Sequence, residues 1–214
     1  MSNKKIVIVD YGLGNLYSLL KALKCFADNV VITDNPNTII KADAVVIPGV
    51  GAFAVGMQGL KERGLIEPIR DFAASGKPML GICLGAQLML SKGYEFGEYE
   101  GLDIISGVVK IFPESVSGRE KIPHIGWNEI YPTKESGWNN TIFSNVKNKA
   151  SVYFVHSYIM APDNIDDISV LVEYGGFEFC AATKKGNIYG TQFHPEKSGE
   201  VGLKIIKSFV DNIN

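Results

Sequence analysis

The sequence predicts an α/β protein, a mostly parallel sheet with helices on both faces and an antiparallel extension at one side. Three observations predict it. The first half alternates short, continuously apolar, β-branched runs with segments of helical periodicity, the pattern of parallel strands covered on both faces. The second half changes to closely spaced short strands separated by turns, and an amphipathic segment closes the chain. Glycine-rich joints follow two of the apolar runs, at the carboxyl ends of strands where open parallel sheets bind ligands.

The elements follow in order. "KIVIVD" (Lys5 to Asp10) is a β-branched run ending in an acid. "YGLGN" leads into "LYSLLKALKCF", whose apolar residues recur at helical spacing. "NVVITD" and "ADAVVIPG" are the second and third strands. From Ala54 to Ser75 the pattern is helical, with a break near Gly64. "KPMLGI" is a fourth strand entered through a proline at its edge, and "LGAQLMLS" reads as helix. "SGVVKIF", "WNEIYP", "SVYFVHS", "ISVLVEY", "FCAATKK" and "NIYGTQF" are the later strands, and "SGEVGLKIIKSFVDNI" is the closing helix. No repeat, low-complexity segment or linker divides the chain, so one domain over residues 1–214 is expected.

Composition excludes several classes. Apolar residues make up 46%, enough for a sizeable core. Lys plus Arg number 21 against 23 for Asp plus Glu, a net charge of −2 that gives no general affinity for nucleic acid or anionic membranes. The three cysteines, Cys25, Cys83 and Cys180, are odd in number and lack metal-type spacing. Neither a disulfide framework nor a metal site is expected, and reduced thiols fit the cytoplasm. No signal-type segment and no apolar run of about 18 residues occurs, so a soluble, unprocessed protein is expected.

Cys83 sits in "GICLGAQ", between Gly81 and Gly85, where a strand passes into a helix. This is the cysteine form of the Gly-x-nucleophile-x-Gly elbow. The glycines remove Cβ atoms that would clash in a sharp turn. The helix start favours a thiolate, and the amide of Leu84 points to where an oxyanion would form. Equally, a free cysteine packs well as a small buried residue. Cys25, among Leu20, Leu23 and Phe26, and Cys180, in mid-strand, read that way.

A thiol nucleophile needs a base, and there are three histidines. His194, in "GTQFHPEKSG", has Glu196 two residues on, where extended geometry would return the carboxylate to the side of the imidazole. A carboxylate there fixes the tautomer, the third role of a triad. His156 in "FVHSY" and His124 in "IPHIGWN" are rivals without an acid at that spacing. "VVIPGVGAF" adds a turn in which Gly49 and Gly51 free the amides of Val50 or Gly51 to face a ligand. It lacks the Gly-Lys-Ser/Thr of a phosphate loop, and "YGLGN" lacks the third glycine of a dinucleotide fingerprint, so no nucleotide cofactor is expected.

"PGVGAF", "GICLGAQ" and "HPEKSG", in that order, resemble the class I (triad) glutamine amidotransferases over essentially the whole chain. The resemblance implies a flavodoxin-like fold, no cofactor, and Cys83, His194 and Glu196 as nucleophile, base and orienter. Cys83 would attack the glutamine side-chain amide, form a thioester and release ammonia, and water would free glutamate. "VDYGLGNLYS", "IPHIGWN" and "YFVHSY" narrow the resemblance to the glutaminase subunit of imidazole glycerol phosphate synthase. That family passes ammonia to a cyclase (β/α)₈-barrel subunit in a heterodimer serving histidine biosynthesis.

By motif, the Val50 and Leu84 amides would form the oxyanion hole. Gln87 and Glu95 would hold the α-amino and α-carboxylate end of glutamine, with Gly51 lining the same pocket and His156, Ser157 and Tyr158 beside it. Asn15, Trp127 and Lys197 would face the cyclase, in loops at the carboxyl ends of strands. Trp127 also reads as a core residue of the second half.

One stretch departs from the family. "SKGYEFGEYEGLDIISG" lacks the longer acidic, glycine-rich insert of the common form and looks more like paralogues encoded with surface-polysaccharide genes. That resemblance would imply ammonia supply, through a paired barrel, to a sugar-modifying amidotransferase. A stand-alone cysteine hydrolase of the same fold, and a binding module that keeps the fold without catalysis, are the readings from other classes.

Overall fold

In a computed structural model, residues 4–133 and 138–213 are described. The first half contains β1 (Ile6–Val9), α1 (Leu16–Lys24), β2 (Val30–Thr33), α2 (Pro36–Ile40), β3 (Ala44–Ile47), α3 (Phe53–Glu62), α4 (Ile66–Ala74), β4 (Met79–Ile82) and α5 (Leu84–Leu88). It continues through β5 (Leu90–Gly93), β6 (Tyr99–Glu100), β7 (Ile105–Ile111), α6 (Glu114–Ser117), β8 (His124–Pro132) and β9 (Ala150–His156). Then come β10 (Tyr158–Pro162), β11 (Ile168–Tyr174), β12 (Phe177–Lys185), β13 (Ile188–Thr191) and α7 (Gly199–Asp211), with 3₁₀ turns at Ile165–Asp167 and Pro195–Lys197.

Five strands, in the order β2-β1-β3-β4-β13, are parallel. That is the 2-1-3-4-5 order of doubly wound flavodoxin-like sheets, which bind ligands beyond the strands' carboxyl ends. Antiparallel β12 and β10 extend the sheet, which continues through β7, β5 and β6. β11, β8 and β9 branch from β12 by antiparallel pairing, so a single hydrogen-bonded sheet runs through both halves.

Alternation along the parallel strands sorts the core into two layers. Ile6 and Ile8 share one cluster with Leu19 and Leu23 of α1 and Ile205 and Phe209 of α7. Val7 and Val9 share the other with Ile39 of α2, Phe53 and Leu60 of α3, and Ile69 and Phe72 of α4. Among the described residues no helix is long and apolar enough to cross a membrane.

Two expectations are corrected. "LGAQLMLS" is not one helix. Helix α5 ends at Leu88, and Leu90 begins β5, which pairs with the distant β7. An all-apolar run fits either state, and here the free edge of β7 decides. Cys25 is not packed away: it caps the exposed end of α1. Cys180 is buried within β12, as expected, and burial pushes its thiol well up.

Candidate active site

Cys83 stands between β4 and α5 with φ 52° and ψ −109°, a conformation that costs an ordinary residue about 1–3 kcal/mol. The surroundings impose it. The Cys83 amide donates to the Thr191 carbonyl at 2.7 Å, tying the elbow to the end of β13. A Cβ on Gly85 would lie 1.8 Å from the Ile47 carbonyl oxygen, so the helix can approach β3 only with glycine there. Because α5 has only five residues, its dipole is that of little more than one turn.

His194 follows β13, its amide donating to the Tyr153 carbonyl of β9 at 3.0 Å. Its Nδ1 lies 2.8 Å from Glu196 Oε1, and both side chains are almost wholly buried. The expected extended spacing is corrected. Pro195–Lys197 is a 3₁₀ turn, begun by Pro195 with its fixed φ. The tight turn, rather than a pleat, carries Glu196 back to the ring. Ser198 locks it, its hydroxyl donating to the His194 carbonyl at 2.7 Å and accepting from the Tyr153 amide at 3.0 Å.

Nε2 of His194 makes no hydrogen bond of normal geometry among the described residues, yet Cys83 is close enough to affect its titration. Burial alone would lower the imidazole pKa. Interaction with the Cys83 sulfur and with Glu196 outweighs burial and holds it up to about 9.

The rival histidines are committed elsewhere. His156 Nδ1 lies 2.8 Å from the Tyr158 carbonyl, and its Nε2 lies 3.2 Å from His124 Nδ1. The carbonyl only accepts, so Nδ1 of His156 carries its proton and Nε2 accepts from His124. Burial pushes His124 down to about 4 and, with smaller repulsion from His124 and His194, pushes His156 down to about 3.

The signs of these shifts predict a stability maximum near the ordinary histidine value of about 6.5. Between about 4 and 6.5 the unfolded chain takes up protons that folded His124 and His156 refuse, so stability should rise with pH. From 6.5 to about 9 folded His194 keeps a proton the unfolded chain loses, so stability should fall. Each proton gives a slope of at most about 1.4 kcal/mol per pH unit. Urea midpoints across this range check the prediction, and His194→Asn should flatten the alkaline limb.

The turn after β3 meets the elbow directly. The Leu84 amide donates to the Gly49 carbonyl at 3.3 Å. In a trans peptide the Val50 N–H therefore points away from the thiol. So the two amides expected to form an oxyanion hole are not both free: one donates to a carbonyl and the other faces outward. Gly49 is confined, because a Cβ there would lie 2.1 Å from the Tyr11 hydroxyl. Tyr11, fully buried, donates to the Pro48 carbonyl at 2.5 Å and so pins the base of this turn. Its place in "DYGLGN", after a strand on the same sheet edge, was the signal that could have marked it.

A cavity of about 220 Å³ opens in front of Cys83, lined by Val50, Gly51, Leu84, Gln87, Glu95, Val155, His156, Ser157 and Tyr158. It is smaller than the roughly 300–1,000 Å³ of drug-sized sites and suits a ligand the size of one amino acid. Grooves of about 690 and 700 Å³ elsewhere are lined by neither cysteine nor histidine, so lining chemistry rather than size picks the site. Glu95 accepts from the Phe53 amide at 2.6 Å through Oε2. Gln87 Nε2 donates to the Tyr158 carbonyl at 3.1 Å and to Gln192 Oε1 at 3.0 Å. Both its N–H groups are therefore used, leaving Oε1 for a ligand.

Asn15, Trp127 and Lys197 are all exposed. Asn15 caps α1, accepting from the Ser18 amide at 3.2 Å, and Lys197 ends the turn after His194. Trp127 is corrected in its placement, and its exposure fits the surface reading rather than the core one. It lies within β8 rather than in a loop, and it is 59% exposed. Strand alternation in "HIGWN" turns Ile125 and Trp127 outward together, and Trp127 rests edge-on against Tyr153.

Residues 7–213 match the family model for glutamine amidotransferase class-I. Over 208 residues, 96% of the chain and 98% of the relative, the sequence is 51% identical to imidazole glycerol phosphate synthase subunit HisH 1 of Legionella pneumophila (strain Paris). It is 46% identical to imidazole glycerol phosphate synthase subunit HisH of Geobacter sulfurreducens, over 96% of the chain and 97% of that relative. Among solved structures, PurLQS from Thermotoga maritima superposes with a TM-score of 0.71, covering all of both chains at 19% identity, a likeness of fold.

Proposed function

The chain belongs to the class-I glutamine amidotransferase family and is a glutamine-hydrolysing enzyme; from that premise we propose that it is the glutaminase subunit of an imidazole glycerol phosphate synthase. The relatives at 51% and 46% identity are named as imidazole glycerol phosphate synthase subunits, which favours the histidine pathway over a surface-polysaccharide acceptor. The observation that carries the chemistry is Glu196 Oε1 at 2.8 Å from His194 Nδ1, behind a cysteine raised on a strained elbow.

Cys83 Sγ attacks the side-chain carbonyl carbon of glutamine. His194 takes the thiol proton and returns it to the departing nitrogen, and ammonia leaves. Water, activated by the same imidazole, then releases glutamate and restores the thiol. Glu196 holds the ring and balances the imidazolium charge. Glu95 and the free Oε1 of Gln87 are acceptors, so they fit the α-ammonium of glutamine. Gly51, Ser157 and Tyr158 complete the pocket, while His156 contributes its ring face.

One amidotransferase domain spans residues 1–214, a reading supported by the single sheet running through both halves. The enzyme works in the cytoplasm, in a heterodimer with a cyclase-type (β/α)₈ barrel that receives the ammonia. The barrel covers the sheet edge carrying Asn15, Trp127 and Lys197.

The isolated chain should be a slow glutaminase, because the Gly49 carbonyl occupies the Leu84 amide and the Val50 amide faces away. The partner must turn the Gly49–Val50 peptide so that both amides face the oxyanion. One recovered donor is worth roughly 10²–10³ in rate. Glutamate release should rise by that factor on titration with the barrel and its ligand. Trp127→Ala should weaken the association by about 2 kcal/mol, as expected of an aromatic anchor. High activity in the isolated chain, unchanged by any barrel subunit, would overturn this proposal.

A further inference from the structure

Gln192 is wholly buried, one residue beyond β13, and has no place in the mechanism above. Its side-chain Nε2 lies 3.8 Å from Cys83 Sγ, within hydrogen-bonding range for sulfur. The orientation of this amide follows from its neighbours. The Tyr158 carbonyl can only accept, so it draws the nitrogen of Gln87 toward itself at 3.1 Å. The second N–H of that nitrogen points to Gln192, which must present its oxygen, at 3.0 Å. The remaining end of Gln192, the donor end, is thereby turned to the sulfur. Two carboxamides in series thus carry direction from a backbone carbonyl to the reacting atom.

Cys83 has few other polar neighbours. The thiol points toward the Val155 carbonyl at 3.9 Å, an acceptor that a thiolate could only face with repulsion. His194 is the cation beside it, and the Tyr11 hydroxyl also lies within electrostatic reach. Neutralising the sulfur's charge by His194 alone would tie it to one side.

On the glutaminase reading, we infer that Gln192 is a catalytic residue: its side-chain N–H, aimed by Gln87, stabilises the Cys83 thiolate before attack and again when the thioester is broken. In the first step the S–H bond breaks, its proton passes to His194, and the sulfur keeps the electron pair that Gln192 faces. In the last step the C–S bond breaks, and that pair returns to the sulfur.

The test is alkylation of Cys83 by iodoacetamide in the full-length chain between about pH 6 and 10, followed by mass spectrometry of the cysteine peptides. The exposed Cys25 is the internal reference. Gln192→Met removes the donor. Gln192→Glu keeps the shape and the oxygen that Gln87 needs, so it guards against misfolding, and melting curves check both. Hydrogen bonds to charged groups are strong enough that the Cys83 rate at neutral pH should fall about 10-fold or more in both variants. Near pH 10 Gln192→Met should match the wild type. A purely structural role would lower the melting temperature without this pH-selective loss. If wild-type Cys83 reacts no faster than Cys25 at neutral pH, the glutaminase reading itself fails. If it reacts fast and a folded variant reproduces its whole profile, only the role of Gln192 is refuted.

Discussion

Cys83→Ala should abolish glutamine hydrolysis, by at least about 10³-fold, and leave the fold intact. Without the sulfur no thioester can form, and His194 and Glu196 have nothing to deprotonate. The fold should survive for local reasons. Alanine at φ 52° is no more strained than cysteine, the bond from the residue 83 amide to the Thr191 carbonyl is kept, and Gly85 still admits the helix. Replacing the exposed Cys25 by Ser should change neither activity nor stability. Cys180→Ser should lower stability alone, since it puts a hydroxyl into the apolar layer that holds Val45 and Met160. Glutamate release and thermal melts on the same preparations check the set. Near-wild-type release from Cys83→Ala would sink the nucleophile assignment.

His194→Asn should cost about 10²–10⁴ in turnover, the range for a positioned general base. The variant loses the proton acceptor and also the cation beside the thiol. Glu196→Gln should cost less, because the amide can still accept from Nδ1–H but no longer balances the imidazolium charge. His156→Asn should behave differently. Both nitrogens of that ring are committed to Tyr158 and His124, so its loss should fall on the melting temperature. An inactive but folded His156→Asn beside an active His194→Asn would reverse the choice of base.

The parallel half was legible because its inner strands β1, β3 and β4 are buried on both faces and read as unbroken apolar runs, Ile6–Val9, Ala44–Ile47 and Met79–Ile82. The same property hid the change from α5 to β5. Leu88, Met89 and Leu90 are all fully buried, and nothing local separates a last helical turn from a first strand residue. The short α2 also escaped, although Asn35 and Pro36 form a cap and first turn of the usual kind.

At the site, the pairing of His194 with Glu196 followed from spacing, but the turn that achieves it did not, because two residues can close through a pleat or a tight bend alike. The contact between the Gly49 carbonyl and the Leu84 amide joins loops after two different strands, and no local pattern encodes it. Gln192 was visible only as a polar residue in an apolar strand, a weak sign until the fold brings Gln87 beside it.

The bond between the Leu84 amide and the Gly49 carbonyl sets the size of the lever that an activator must supply. A neutral hydrogen bond of this kind is worth only about 0.5–1.5 kcal/mol net. A partner that grips the turned peptide roughly tenfold more tightly than the resting one offsets it. Linkage runs equally in reverse. An acyl group on Cys83 whose carbonyl oxygen draws on both amides favours the turned peptide, and must tighten the hold on the partner by the same factor. The complex would then last longest while the thioester persists and loosen as glutamate departs, so the chemistry at one sulfur would time the association of two proteins.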